Sequence, residues 1–316
     1  MKALILETPG EEPSLALREV AIPHLGPNEV LVEVAACGLC HHDVAIMQGI
    51  LRRGVKPDII LGHEISGRVA DTGETVTAIK VGDRVTSTLT TFCGRCQRCL
   101  QGREYRCLHG QGIGHAIDGG FAQFVRLAER CLAPVPENIE LESAAVTGCP
   151  MGPALQALKE VAQVEPGETV LVTGAGGGLG VHAVQIASAL GTRVLAVTTS
   201  PTKVKPLERL VQGEVILADE LDFSEFALAL TANKGVDVVI NTVGSAVFES
   251  SIKSLAQFGR MVIMGEITGE RLTVNATEIL FRDAAILGTT GAGRRHIVEV
   301  AHMITSGLIR PVVSEK

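Results

Sequence analysis

The chain reads as an α/β protein of two parts, a mostly β first domain followed by a doubly wound parallel sheet, and three observations carry that reading. The stretch Glu168 to Leu190 runs strand, glycine turn, helix. From about Pro153 onward, apolar β-branched runs alternate with segments of helical periodicity, as the strands and crossover helices of a parallel sheet do. Before about residue 150 the strands are short and separated by Gly and Pro.

Taken in order, the first domain is predicted over 1–152, with strands at Glu29 to Ala35, Ile65 to Val69, Asp83 to Thr88 and Gln123 to Leu127. The second, over 153–290, has candidate strands Thr169–Val172, Arg193–Thr198, Glu214–Leu217, Val236–Asn241, Arg260–Met264 and Ala285–Gly288. Helices are expected around Val181–Leu190, Leu207–Val211, Glu225–Leu230 and Ala246–Leu255. The glycine turn is the centre of this half. Gly174, Gly176, Gly177, Gly178 and Gly180, with Leu179 among them, let the backbone turn tightly and approach a pyrophosphate held on the N–H groups of the helix start. A glycine-rich turn also occurs for packing alone, so its surroundings must decide. In a parallel sheet ligands collect at the carboxyl ends of the strands, which selects Asn241, Val243, Gly244, Gly265, Glu266, Gly288 and Thr289 as cofactor-lining candidates. The same residues also suit plain turns.

Composition bounds the rest. With 316 residues, 46% hydrophobic and 20% charged, the chain suits a soluble two-domain protein. No apolar run reaches the roughly 18 residues of a membrane span, and the opening residues run into Glu7 without a cleavage pattern, so a cytoplasmic protein without a membrane partner is expected. The net charge of -7, with no basic block against it, argues against nucleic acid and leaves a small-molecule substrate.

Eight cysteines in a reducing compartment point to thiols or metal ligands rather than bridges. Cys93, Cys96, Cys99 and Cys107 lie close together, and four soft ligands so spaced can wrap one tetrahedral zinc with no open position. Free thiols or disulfides are the alternative. A second set is dispersed: Cys40 in C-G-L-C-H-H-D, His63 in G-H-E and Cys149 in T-G-C-P. Singly, each is an ordinary core or surface residue. Together they would hold a zinc with a fourth position open, and Asp43 and Glu64 would stand beside it. Spacing alone does not show that they meet.

The run G-H-E-I-S-G-R-V-A-D-T-G-E-T-V from Gly62 to Val76, followed by V-G-D-R-V from Val81 to Val85, resembles the zinc signature of the medium-chain dehydrogenase/reductase superfamily, the zinc alcohol dehydrogenases. The four-cysteine lobe, 93–107, and the glycine turn stand in that family's order. The resemblance implies a GroES-like catalytic domain joined to a Rossmann domain. It makes Cys40, His63 and Cys149 the catalytic zinc ligands, with Glu64 close to the metal and Asp43 supporting His63. Two zinc ions per chain and a homodimer or homotetramer are expected. Cys37 matches no ligand position and is read as structural. Two departures fall at the edge of the site: His42 stands where the family has Ser or Thr to relay a proton, and Pro153 and Leu155 stand where it has Thr and Tyr. The stretch Gly174 to Thr199 also resembles the acyl-CoA-acting enoyl reductases of the superfamily. In the family a helix returns the chain to the first domain, here expected at His296 to Ser306, and a closing strand follows; the stretch 291–316 reads as a return segment cut short.

Three functions follow as alternatives. The first is a zinc-dependent oxidoreductase moving hydride between a nicotinamide and an alcohol or carbonyl carbon, with Cys40, His42, Asp43, His63, Glu64 and Cys149 as its catalytic set. The second is an enoyl-CoA or enone reductase on the same scaffold. The third is a nucleotide-binding remnant without catalysis. For the cofactor, NAD enzymes of this sheet type need a carboxylate at the end of the second strand, about 20 residues after the turn, and Thr198 stands there instead. Thr199 and Ser200 offer hydroxyl donors and Lys203 a point charge, so NADP(H) is expected over NAD(H). A plain junction, with Ser200 as cap, Pro201 as an early helical residue and Lys203 solvated, accounts for the same residues.

Overall fold

The structure is a computed structural model and describes residues 1–218 and 222–314. The chain divides into two compact units: one joins Met1–Gly152 to Gly291–Ser306 and to the chain from Val313 onward, the other joins Pro153–Thr290 to Gly307–Val312.

The first unit holds β1 (Lys2–Thr8), β2 (Ser14–Glu19), β3 (Glu29–Gly38), β4 (Ile59–Ile60), β5 (Glu64–Thr72), β6 (Arg84–Ser87), β7 (Phe124–Ala128) and β8 (Leu132–Pro134). An antiparallel sheet runs β7-β3-β5-β6-β8, and a smaller one runs β2-β1-β4. Val30 and Val32 of β3 alternate onto one face and bury against Ile65, Val85 and Leu127. Register is therefore fixed by burial. It pairs Cys37 with Ile65 and Gly38 with Glu64, which brings the chain leaving β3 beside the chain entering β5.

The second unit is a parallel sheet of β9 (Thr169–Val172), β10 (Arg193–Thr198), β11 (Gly213–Leu217), β12 (Val236–Asn241), β13 (Leu255–Ile263) and β14 (Ala285–Gly288), in the order β11-β10-β9-β12-β13-β14. This is the doubly wound arrangement. Its inner strands are apolar on both faces, as helix-covered parallel strands must be, with Leu171, Leu195, Val239 and Met261 in one core. Each such side chain contributes about 1.5–3 kcal/mol when fully buried.

Element bounds depart from the sequence reading where the burial signal is thin. The helix expected over Leu207–Val211 instead spans Pro201–Glu208, where only Leu207 is buried. Its start is set by Ser200 at the cap and Pro201 in the first turn, whose fixed φ and missing N–H suit that position. The helix expected over Ala246–Leu255 is a 3-10 turn at Ser245–Val247 running into an α-helix at Phe248–Lys253, and it stops short of Leu255 because that residue opens β13, which begins well before the expected Arg260. The helix expected at His296–Ser306 is Arg294–Thr305 and groups with the first unit. Among the described residues no helix is long and apolar enough to cross a membrane.

Candidate active site

The dispersed set comes together in the first unit. Cys40 caps the helix His41–Met47 just beyond β3, His63 and Glu64 stand at the start of β5, and Cys149 sits in the irregular turn Thr147–Met151 with extended backbone, φ -144 and ψ 131. One ligand atom from each of Cys40, His63, Glu64 and Cys149 lies within 4.8 Å of all the others. Glycines make the approach possible. A Cβ at Gly38 would fall 2.1 Å from Glu64 Oε2, one at Gly62 (φ +91) 2.6 Å from Cys37 Sγ, and one at Gly148 2.2 Å from the Ser87 carbonyl.

Asp43 is the staple. Fully buried, it accepts the Cys40 N–H at 2.9 Å and the Gly62 N–H at 3.2 Å, binding the two ligand-bearing segments to one carboxylate. Its Oδ1 lies 3.4 Å from His63 Nδ1, close enough for an ion pair but outside hydrogen-bond geometry. Burial opposes its charge, yet His63 and the two N–H groups hold its carboxyl below the usual range.

The crowded donors set their proton affinities against one another. The hydrogen bond from Cys149 draws the Cys40 thiol down to about 4, with His63 helping. The same bond, together with burial, pushes Cys149 well up. Burial alone would lower His63, but Asp43 and Cys40 raise it to about 10. Burial and Cys40 lift Glu64 to about 8. A divalent cation held by these residues would resolve this competition, since a coordinating thiol gives up its proton and a coordinating imidazole is neutral. Two thiols, one imidazole and one carboxylate fit zinc in donor type and number.

His42 faces a partner that the sequence does not suggest. Its Nε2 lies 3.2 Å from His115 Nδ1, and His115 Nε2 lies 3.0 Å from the Arg53 carbonyl. A carbonyl only accepts, so His115 donates from Nε2; where its Nδ1 is the acceptor, His42 donates from Nε2 and His42 Nδ1 keeps a lone pair. Burial, then His63, holds His42 below its ordinary value and so neutral. The His42 and His63 rings meet edge-on with centroids 5.4 Å apart.

The lobe set also meets: the sulfurs of Cys93, Cys96, Cys99 and Cys107 lie within 4.8 Å of one another. Cys96 Sγ is 3.5 Å from Cys99 Sγ and 3.8 Å from Cys107 Sγ. Those distances suit the edges of a tetrahedron, about 3.8 Å for a Zn–S bond of about 2.3 Å. Backbone N–H groups of Cys93, Cys96 and His109 point at the sulfurs, each at 3.3 Å. The N–H groups of Leu108 and Cys99 bring the Cys96 thiol down to about 6. Cys37, by contrast, is pushed up by burial and packs against Gly62.

In the second unit the candidate cofactor residues gather at the carboxyl edge of the sheet. Gly174 takes φ +58, where a Cβ would also meet Thr242 Oγ1 at 2.7 Å; a Cβ at Gly180 would be 2.2 Å from the Gly174 carbonyl. Gly177 caps the helix Gly178–Ala189, and Gly178 and Gly288 face open space. Leu179 lies in that helix's first turn. A Cβ at Gly176 would meet Lys203 Cγ at 3.0 Å and Thr198 Oγ1 at 3.3 Å, so the Lys203 stem and the end of β10 border the turn. Thr198 Oγ1 also accepts the Ser200 N–H at 3.2 Å, and Thr199 lies between them. Thr289 Oγ1 is buried without a hydrogen-bond partner. These features fit a dinucleotide: close backbone approach, a helix start and an unused hydroxyl.

Two candidates serve the loops themselves. Asn241 Oδ1 accepts the Gly244 and Val243 N–H groups at 2.7 and 3.0 Å, and its Nδ2 donates to the Gly244 carbonyl. Glu266 accepts from the N–H groups of Ser245, Thr268 and Gly269, which hold its carboxyl down although burial opposes. A Cβ at Gly244 would strike Glu266 Oε2 at 2.6 Å, and one at Gly265 the Thr242 carbonyl at 2.2 Å. Sequence reasoning missed Thr173, whose hydroxyl and carbonyl bind Thr242, as well as His115 and Gly38. A glycine directly paired with the Glu of G-H-E was the one available signal, and it needed the register to be seen.

Comparison with known proteins agrees with this construction. The chain matches the alcohol dehydrogenase GroES-like domain over residues 26–137 and the zinc-binding dehydrogenase family over residues 178–306. It is 36% identical to an acryloyl-coenzyme A reductase from Metallosphaera sedula, over 99% of this chain and 92% of that protein. It superposes on the crystal structure of an NAD-dependent alcohol dehydrogenase with a TM-score of 0.92 and 33% identity, covering 99% of this chain and 91% of the other. A zinc-binding dehydrogenase from Sinorhizobium meliloti 1021 bound to NADP superposes with a TM-score of 0.85 at 30% identity, covering 98% and 89%. Two matched domains in order, and relatives aligned along nearly the whole chain, show that it belongs to the zinc-containing medium-chain dehydrogenase/reductase superfamily of oxidoreductases.

Proposed function

We propose that this oxidoreductase transfers hydride between NADP(H) and an alcohol or carbonyl carbon, with one zinc ion held by Cys40, His63 and Cys149 and a second by the lobe cysteines. The observation that carries it is the meeting of Cys40, His63, Glu64 and Cys149 from three separated segments. Bound there, zinc supplies Lewis acidity toward a substrate oxygen, and the nicotinamide supplies or takes the hydride.

The chain's own residues do the rest. Asp43 fixes Cys40 and the Gly62–His63 segment in one arrangement, a positioning role. His42 Nδ1 takes the proton released in alcohol oxidation, and Nε2 passes one to His115 Nδ1; reduction runs the same path backward. The glycine turn receives the pyrophosphate. Lys203, its stem against Gly176, supplies the charge for a 2′-phosphate where Thr198 replaces a carboxylate.

A second reading, reduction of an enoyl thioester, is favoured by two observations. Glu64 stands within the donor set and can complete four ligands without substrate, and the Metallosphaera relative is an acryloyl-coenzyme A reductase. Assays of alcohols, aldehydes, enones and enoyl-CoA thioesters with both nicotinamides separate the two. Turnover of an enoyl thioester with none of any alcohol or aldehyde refutes the first.

A further inference from the structure

The segment Gly307–Val312 groups with the second unit, although the helix before it and Val313 after it group with the first. Two side chains of the helix Gly178–Ala189, three residues apart and so on one face, hold this strap. Gln185 Oε1 accepts the Arg310 N–H at 3.0 Å, and its Nε2 donates to the Arg310 carbonyl at 3.1 Å and to the Val181 carbonyl at 3.2 Å. His182 Nε2 accepts the Val312 N–H at 3.0 Å, and its Nδ1 lies 2.6 Å from the Gly178 carbonyl.

These two imidazole bonds stand or fall together. The Gly178 carbonyl can only accept, so Nδ1 carries the proton, and Nε2 is thereby left with the lone pair that Val312 needs. The ring is fully buried, and burial keeps it neutral. At its other end, Gly178 is the first helical residue after the glycine turn and faces open space. One buried ring therefore joins the end of the strap to the peptide that starts the helix. Neither His182 nor the strap is needed to explain the metal sets or the hydride path, yet both cost buried polar groups that must be satisfied.

We propose that His182 is a positioning residue that couples docking of the strap Gly307–Val312 to nucleotide occupancy of the glycine turn. The proposal rests on the nucleotide reading above. A pyrophosphate on the N–H groups at the helix start restrains the Gly178 peptide; its carbonyl then holds the imidazole, and the imidazole holds the Val312 N–H. Because coupling between two binding equilibria is reciprocal, a docked strap strengthens nucleotide binding by the same factor.

The test is residue-resolved amide hydrogen exchange of the full chain with and without saturating NADP+, alongside calorimetric measurement of NADP+ and NAD+ binding. Exchange at Val312 should slow by roughly fivefold or more on binding. In His182→Leu, which fills the space without either bond, the slowing should vanish and NADP+ affinity should fall by the factor seen in the wild type. His182→Gln should restore both, since Gln185 shows that an amide on this helix can serve an i−4 carbonyl and a strap N–H together. Binding that leaves Val312 exchange unchanged overturns the coupling alone, and the wild type decides this even if a variant does not fold. The same slowing in His182→Leu overturns it too. Failure of both nucleotides to bind overturns the nucleotide reading and this inference with it.

Discussion

The protein presents two sets of metal-binding side chains built in opposite ways. In the lobe, Cys93, Cys96, Cys99 and Cys107 lie close in sequence, and backbone N–H groups of the same segment support the sulfurs. The other set, Cys40, His63, Glu64 and Cys149, is gathered from far along the chain by the β3–β5 register and by Asp43, and His63 and Glu64 are buried. In the proposed reading, a local, closed thiol set serves the fold of its own segment. An assembled set of mixed donors depends on the whole unit, and can be tuned by neighbours such as Asp43 and His42. The difference predicts where damage will appear: in stability for the lobe, in turnover for the assembled set.

The largest contrast should come from Cys149→Ala, which removes one donor of the assembled set. Turnover should fall by several kcal/mol of barrier, on the order of 10³-fold or more, with the circular dichroism of the wild type retained. Acid gives a fold-wide control outside both sets. Burial lowers the His182 pKa from 6.5 to about 4, so the unfolded chain binds the proton more tightly. Stability is complete above the unfolded value and is lost as pH falls from about 6.5 toward about 4, by an amount on the order of 3 kcal/mol. Urea unfolding at pH 7.5 and pH 5 should show the decline, and His182→Leu should flatten it.

Asp43→Asn keeps the shape of the staple and removes its charge. It should lower activity or metal affinity by about 10–100-fold, between the effect on a ligand and on a bystander. Lys203→Ala touches neither metal set and should weaken NADPH by about tenfold, roughly 1.4 kcal/mol, with NADH nearly unchanged and zinc content intact. Smallest on turnover should be Cys99→Ser, with kcat of the folded fraction within about twofold of wild type but a lowered thermal midpoint, because a structural zinc contributes to folding. A kcat loss in Cys99→Ser as large as in Cys149→Ala would erase the distinction between the sets.

The same contrast explains what the sequence could tell. The lobe set was legible from spacing alone because its geometry is local. The assembled set became legible only through resemblance to a family, since Cys40, His63 and Cys149 are individually unremarkable. In the sheet, Thr169–Val172, Arg193–Thr198, Val236–Asn241 and Ala285–Gly288 lie at their expected bounds because each is a short apolar run ended by turn residues. The helix at Pro201–Glu208 was misplaced because its exposed face carries no apolar period, and the Ser200-Pro201 start signal was the better guide. His115 gave no local sign of its contact with His42, being 73 residues away and joined to it only by folding.

The most direct measurement of the central claim is zinc per chain, by mass spectrometry, with turnover determined on the same wild-type and Cys149→Ala samples. Two ions in the wild type, one in Cys149→Ala, and loss of turnover with the second ion are the expected result. A wild type that saturates at one ion, or a Cys149→Ala protein that keeps full turnover, would contradict the assignment of the reaction to the assembled set.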